Sequence, residues 1–236
     1  MKLSVVVPAF NEEKLLAATL RHIRAGLHGF DQNGWATELV VCDNNSTDRT
    51  ARVARSAGAR VVFEPVNQIS RARNAGAAAA VGDWLLFVDA DCSPSPALFE
   101  DLRLELEKGE CAGGGSTVAV PGARTDVRVW VGLWNTLSRA LSWAAGSFLF
   151  CRAGAFRELG GFSQALYAAE EIDLSRRLKR VGKMVILHRH PLETSGRKAE
   201  LYSPREHLAF LLRFVLTGGR SLRRRERCAI WYDGRR

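Results

Sequence analysis

Short apolar runs of four or five residues alternate with longer stretches in which apolar positions recur every three or four residues. Leu3 to Val7, Glu38 to Cys42, Arg60 to Phe63 and Trp84 to Val88 read as strands. Between them, Leu15, Leu16, Thr19, Leu20 and Ile23 mark one face of a first helix, with Asn11 as its candidate cap and Glu12 and Glu13 in its first turn. Ser46 or Thr47 is expected to cap a second helix to Ala57, closed by Gly58, and Ser70 to cap an alanine-rich third helix over 71–81. This β-α-β-α-β-α-β order is that of an α/β domain whose mostly parallel central sheet is wrapped by helices.

The second half is less regular. Ser95-Pro96 opens a helix to about Lys108, because proline suits a first helical position. Cys111 to Val120 reads as a glycine-loosened strand and Ser147 to Cys151 as a short one. Val127 to Ala145 is apolar with three tryptophans, and is expected to be a helix facing the core or a substrate groove. Glu171 to Val181 is a further helix and Met184 to His188 a last strand. Ser203-Pro204 starts one more helix, apolar from Leu208 to Leu216 and stopped by Gly218-Gly219.

Composition narrows the class. At 236 residues and 47% hydrophobic, the chain is long enough for one full core. It contains no apolar run long enough to span a bilayer and no signal-peptide core, so a cytoplasmic protein is expected. Five scattered cysteines without a CxxC pair argue for reduced thiols. The net charge of +9 is uneven: residues 197–236 hold 11 Arg/Lys against 4 Asp/Glu, and the first 196 residues 23 against 21. Any anionic surface is therefore expected to meet the tail, where Arg220 to Arg227 are followed by Ile230, Trp231 and Tyr232. Peripheral contact with an anionic membrane at its inner face is one expected use, the other being a helix packed on the catalytic domain with its arginines simply solvated; nucleic acid is not an expected partner.

Three strand ends in the first half carry the candidate chemistry. Pro8-Ala9-Phe10-Asn11-Glu12, Asp43-Asn44-Asn45-Ser46 and Asp89-Ala90-Asp91 should converge on one edge of a parallel sheet, where open α/β sheets place ligands. Asp89 and Asp91, one residue apart on an extended chain, can face one point and offer hard oxygens to Mg²⁺ or Mn²⁺ holding a phosphate. Pro8 and Phe10 can hold a flat base, Asp43 can accept from a base N–H, and Arg71 or Arg73 can offset diphosphate charge. Strand-end carboxylates alone also suit a polar turn, and Asn45, Ser46 and Thr47 suit capping.

VVVPAFNEE, VVCDNNSTDRT and ISRARNAGAAAAVGDWLLFVDAD, in this order and spacing, resemble a family 2 glycosyltransferase of the GT-A fold. The resemblance covers residues 3 to about 198. It divides the chain into a catalytic domain 1–198, with a nucleotide-binding half 1–92 and an acceptor half 93–198, and a basic C-terminal helix and tail 199–236. It implies that Pro8, Ala9, Phe10, Asn11, Glu12, Asp43, Asn45, Arg73, Asp89 and Ala90 surround the nucleotide, and that Asp89 and Asp91 bind ribose and a divalent metal. The family's later acidic motif, often Glu-Asp, matches Glu170-Glu171, which makes Glu171, or failing that Glu170, the expected catalytic base. His190, ahead of His188, is the expected further metal ligand, and Ser195-Gly196-Arg197-Lys198 a basic turn that could close over the diphosphate. The implied reaction moves a sugar from a nucleotide-diphosphate donor, UDP before GDP, to an unidentified hydroxyl acceptor, with inversion ahead of retention. The rivals are a haloacid-dehalogenase-like phosphohydrolase, with Asp89 as nucleophile, and a non-catalytic basic membrane or nucleic-acid binding module. The first wants its DxD near the chain start, and the second leaves the strand-end carboxylates idle.

Overall fold

The computed structural model describes residues 1–195 and 220–228. Among the described residues eight strands form one sheet: β1 (Lys2–Ala9), β2 (Ala36–Asp43), β3 (Arg60–Phe63), β4 (Trp84–Val88), β5 (Cys92–Ser93), β6 (Cys111–Ala119), β7 (Phe148–Arg152) and β8 (Lys183–Thr194). Their spatial order is β3-β2-β1-β4-β7-β6-β8-β5. The first four run parallel, and β7 lies antiparallel between β4 and β6. Strand β8 lies parallel to β6. Because β6 thus runs the same way as β4, the carboxyl ends of β1, β2, β4 and β6 share one edge.

The helices are α1 (Leu16–Gln32), α2 (Thr50–Ser56), α3 (Ile69–Ala79), α4 (Pro96–Lys108), α5 (Thr125–Leu141), α6 (Ala153–Glu158) and α7 (Glu170–Leu178). The pleat sends alternate residues of the central strands to opposite faces. Val5, Val7, Leu86 and Val88 join Leu16, Leu20, Ile23, Phe99 and Leu102 of α1 and α4 in one core. Val6, Leu85 and Phe87 join Ala77, Phe156, Leu174 and Leu178 of α3, α6 and α7 in the other. All five residues of β4 are buried, as a strand covered by helices on both faces requires.

Several local expectations change. Asn11 does not cap α1, which starts only at Leu16, beyond Glu12 and Glu13; Asn11 instead adopts φ 52°. Its Oδ1 accepts from the Thr47 N–H at 2.8 Å, so the neighbouring loop satisfies it better than a helix end would. Neither Ser46 nor Thr47 caps α2; Asp48 Oδ1 accepts from the Thr50 N–H at 2.8 Å. Ser70 lies within the first turn of α3 rather than before it. Ser95 does cap α4, accepting from the Leu98 N–H at 3.1 Å with Pro96 behind it. The glycines of β6 are required by packing: a Cβ at Gly114 would collide with the Val185 carbonyl oxygen. Helix α5 does not face the core, since Ser138 is its one buried residue. Strand β8 runs well past His188, because β5 offers it a second edge at Glu193 and Thr194. The apolar helix expected over 203–216, residues 196–198 of the basic turn, and Ile230, Trp231 and Tyr232 lie outside the described residues.

Candidate active site

The ends of β1 and β2 are laced into one wall. Ala9 pairs with Asp43, and the Asn44 N–H donates to the Ala9 carbonyl at 2.8 Å. Beyond them the Asn11 N–H donates to Ser46 Oγ at 3.0 Å, the Glu12 N–H to Thr50 Oγ1 at 2.8 Å and the Glu13 N–H to Asp48 Oδ2 at 3.1 Å. Each bond joins the first loop to the second, so the expected nucleotide residues Pro8 to Glu12 and Asp43 to Asn45 stand together. Asp43 is buried and accepts from the Ser46 N–H at 3.0 Å through Oδ1. Asn45 is exposed with φ 65°.

Asp89 and Asp91 follow β4 at the same edge. The Ala90 carbonyl between them accepts from Thr19 Oγ1 at 2.8 Å, which ties the turn to α1. Asp91 Oδ2 accepts from Ser195 Oγ at 2.9 Å, which ties it to the end of β8.

Arg73, expected to face a diphosphate, is instead 3% exposed beneath the carboxylates. Its Nη1 donates to Glu170 Oε1 at 2.7 Å, and its Nη2 to Asp89 Oδ1 at 2.9 Å and to the Gly146 carbonyl at 3.0 Å. The guanidinium also lies 5.3 Å from the centre of the Phe162 ring. Its charge therefore compensates protein carboxylates from below. Burial opposes that charge, but Asp89, Glu170 and Glu171 outweigh it and hold Arg73 firmly protonated. A Cβ at Gly146 would stand 2.7 Å from Arg73 Nη2, so only glycine lets the loop before β7 approach. Arg71 is likewise engaged, with Glu64 at 3.2 Å and Gln164 at 3.0 Å.

Glu170 and Glu171 open α7 after Ala169, whose φ of 59° is uncommon for a residue with a Cβ. The approach to them is held from two sides. Buried Gln68 donates through Nε2 to the Gln164 and Leu166 carbonyls at 2.8 and 3.0 Å. On the other side the Tyr167 N–H donates to the Leu222 carbonyl at 2.7 Å, and Leu222 and Cys228 pack on Ala168. Gln68 and Leu222 carry no sequence signal beyond polarity and apolarity, and their part is visible only in the folded chain.

The two glutamates differ. Glu170 is buried and spent on Arg73, whereas Glu171 makes no ion pair among the described residues. Burial, then the charge of Glu170, pushes the Glu171 carboxyl up to about 8, with Arg73 pulling the other way.

The histidine expected at the metal is engaged by a carboxylate of α4. His190 Nδ1 lies 2.9 Å from Asp101 of α4, and no group of three metal-ligating side chains occurs among the described residues. His188 Nδ1 sits 3.3 Å from the Ile186 carbonyl. Among the described residues the candidate donors at the strand end are two carboxylates. That fits Mg²⁺ or Mn²⁺, which keep waters and take phosphate oxygens rather than needing an all-protein cage.

A family model described as Glycosyl transferase family 2 matches residues 4–158, more than half of the chain. The chain belongs to glycosyltransferase family 2.

Sequence relatives agree with that membership, and solved structures share the fold. An uncharacterized glycosyltransferase of Mycobacterium tuberculosis is 41% identical over 106 residues, 45% of this chain and 44% of its own length. The 4,4'-diaponeurosporenoate glycosyltransferase of Staphylococcus haemolyticus is 36% identical over 96 residues, 38% of this chain and 24% of its own. The chain thus aligns with less than half the length of each. Among solved structures, S. aureus TarS 1-349 in complex with UDP-GlcNAc superposes with a TM-score of 0.66 at 18% identity, over 99% of this chain and 71% of that one. Glucosyl-3-phosphoglycerate synthase of M. tuberculosis, in complex with Mn²⁺, UDP and phosphoglyceric acid, gives 0.64 at 24% identity, over 91% and 76%. The fold is GT-A, as the strand-end motifs implied. The chain's five cysteines are all buried. None of its described helices is long and apolar enough to cross a membrane.

Proposed function

We propose that this glycosyltransferase moves a sugar from a UDP-sugar to an acceptor hydroxyl with inversion, using a divalent cation held by Asp89 and Asp91. The observation that carries the reading is the division of labour around Arg73. Glu170 and Asp89 are neutralised by it, while Glu171, in electrostatic reach of both, keeps a carboxylate of raised proton affinity outside any described ion pair. A base with a proton affinity near working pH is what attack by a hydroxyl requires.

Pro8 and Phe10 would flank the base of the nucleotide, and Asp43 would accept one of its N–H groups. Asn11, Glu12 and the 43–45 turn hold that wall together and so set where the nucleotide sits. Bound Mn²⁺ or Mg²⁺ supplies neutralisation of charge on the departing diphosphate. Asp89 keeps one oxygen outside its contact with Arg73, and Asp91 is oriented by Ser195. Glu171 would take the proton of the attacking hydroxyl as the new bond forms on the face opposite the diphosphate. The proposed setting is cytoplasmic, with peripheral contact at the inner membrane face through the basic tail; Arg223, Arg224 and Arg225 are exposed there.

Thermal melting with UDP and with GDP, each with and without Mn²⁺, tests the donor and metal together. A shift with UDP that Mn²⁺ enlarges supports the reading, and no shift with either nucleotide overturns it. A panel of nucleotide sugars scored for hydrolysis then identifies the sugar, and the anomeric configuration of the product separates inversion from retention.

A further inference from the structure

Four large apolar side chains stand exposed on α5: Val129 at 66%, Trp130 at 60%, Leu133 at 57% and Leu137 at 42%. At about 100° per residue they fall in one stripe roughly 100° wide. The opposite face of the helix is fastened to the sheet. Asn135 accepts from the Val118 N–H of β6 and donates to the Val118 carbonyl, both at 2.9 Å. The stripe is therefore turned outward by specific hydrogen bonds.

Beside the carboxyl end of the stripe is a rim of cations. Arg176, Lys179 and Arg180 at the end of α7 are exposed, and none has an ion-pair partner among the described residues. The two helices are joined at this point. Lys179 Nζ donates to the Leu141 carbonyl at 3.0 Å, and the Arg176 guanidinium lies 4.7 Å from the centre of the Trp143 ring. Nearby acids are already matched, Asp126 by Arg124 and Asp173 by Arg177.

We propose that the stripe of α5 and the rim of α7 form a docking surface for an anionic phospholipid bilayer. A narrow apolar stripe carrying tryptophan, with cations at its border, is complementary to acyl chains beneath anionic headgroups. Four partly exposed side chains offer on the order of 400 Å². That is about half of the ~800 Å² each partner contributes to a standard protein interface. The same α7 begins with Glu170 and Glu171, so the rim begins roughly 8 Å along the helix from the proposed base, counting from Glu171 to Arg176 at 1.5 Å per residue. Docking there would bring the cleft to acceptors held at the bilayer surface. The surface is separate from the tail and independent of the identity of the sugar or metal.

Sedimentation of the full chain with vesicles tests this. Wild type should sediment with phosphatidylglycerol vesicles at low salt, and little with phosphatidylcholine alone or at about 0.5 M salt. Leu133→Glu alters an exposed position, should keep UDP binding, and should weaken vesicle binding at least tenfold. Quenching of tryptophan fluorescence by brominated phosphatidylglycerol should fall in Trp130→Phe. A tail variant with Arg223, Arg224 and Arg225 changed to Ala should still sediment; loss of binding there with none in Leu133→Glu would overturn this surface in favour of the tail. Wild-type binding by Leu133→Glu, or no binding of wild type at low salt, also overturns the proposal. So does a dimer that Leu133→Glu dissociates without change in vesicle binding, which would make the stripe a contact between copies.

Discussion

Arg73 bridges Glu170 and Asp89: one guanidinium nitrogen lies 2.7 Å from the first carboxylate and another 2.9 Å from the second. One cation thus links the carboxylate of the donor side to the helix that presents the proposed base. Removing it by Arg73→Met leaves a buried carboxylate uncompensated, which costs about 3–5 kcal/mol and should lower the melting temperature markedly. Arg73→Lys keeps the charge but lacks the planar fork that reaches two partners at once. It should melt closer to wild type yet lose turnover, with kcat falling more than KM rises. Equal activity in Arg73→Lys would show that charge alone suffices.

The two glutamates should respond differently to amide substitution. Glu171→Gln is nearly isosteric but accepts no proton, so turnover should fall about 10²–10⁴-fold while UDP binding is retained. Glu170→Gln should chiefly destabilise, because it leaves Arg73 short of a buried partner. Calorimetric UDP titration beside initial rates distinguishes them, and an active Glu171→Gln with a folded, inactive Glu170→Gln would reverse the assignment.

The raised proton affinity of Glu171 sets a pH dependence. A base works deprotonated, so kcat should climb as pH rises through about 8, where this carboxyl loses its proton. Stability runs the other way. A carboxyl whose folded value exceeds its unfolded one binds the proton more tightly when folded, so its stabilising share is fully present below the unfolded value. That share is lost as pH rises from the ordinary carboxylate value of 4.5 through about 8. Glu171→Gln should therefore melt with a weaker pH dependence than wild type across this window. Parallel melting curves spanning the window from its acid to its alkaline end would reveal it.

Chelation of divalent ions should abolish transfer, and Asp91→Ala should not be rescued by added Mn²⁺. His190→Ala should retain most activity, because its imidazole is bonded to Asp101 and stands in no described ligand group with the aspartates. Full activity in chelator would exclude the metal assignment, and a His190→Ala enzyme that needs far more Mn²⁺ would restore the histidine to the site.

The C-terminal segment should matter for turnover as well as for any surface contact. The Tyr167–Leu222 hydrogen bond and the buried Leu222 and Cys228 brace the loop that leads to Glu170. A form ending at Gly219 should therefore bind UDP but turn over slowly, rather than behave as an intact catalytic domain. Leu222→Ala should show the same trend more weakly, in steady-state rates and in hydrogen exchange of residues 166–171.

Local chemistry in the sequence was enough to place β4 between two helical layers, to put Asp89 and Asp91 at its end and to cap α4 with Ser95. Each depends on neighbours within a few residues, through the pleat or through a helix end. The same local rules failed at Asn11, Ser46 and Thr47, because their hydrogen-bond partners lie across the gap between two loops. Periodicity also marked α5 as amphipathic, but not which way the apolar stripe turns; hydrogen bonds from Asn135 to β6 decide that. Arg73 is 97 residues from Glu170 and 16 from Asp89 in the chain, and only the tertiary fold brings the two carboxylates to one guanidinium. The motifs therefore identified the carboxylates, while tertiary structure decided which of them Arg73 neutralises and which stands outside any described ion pair.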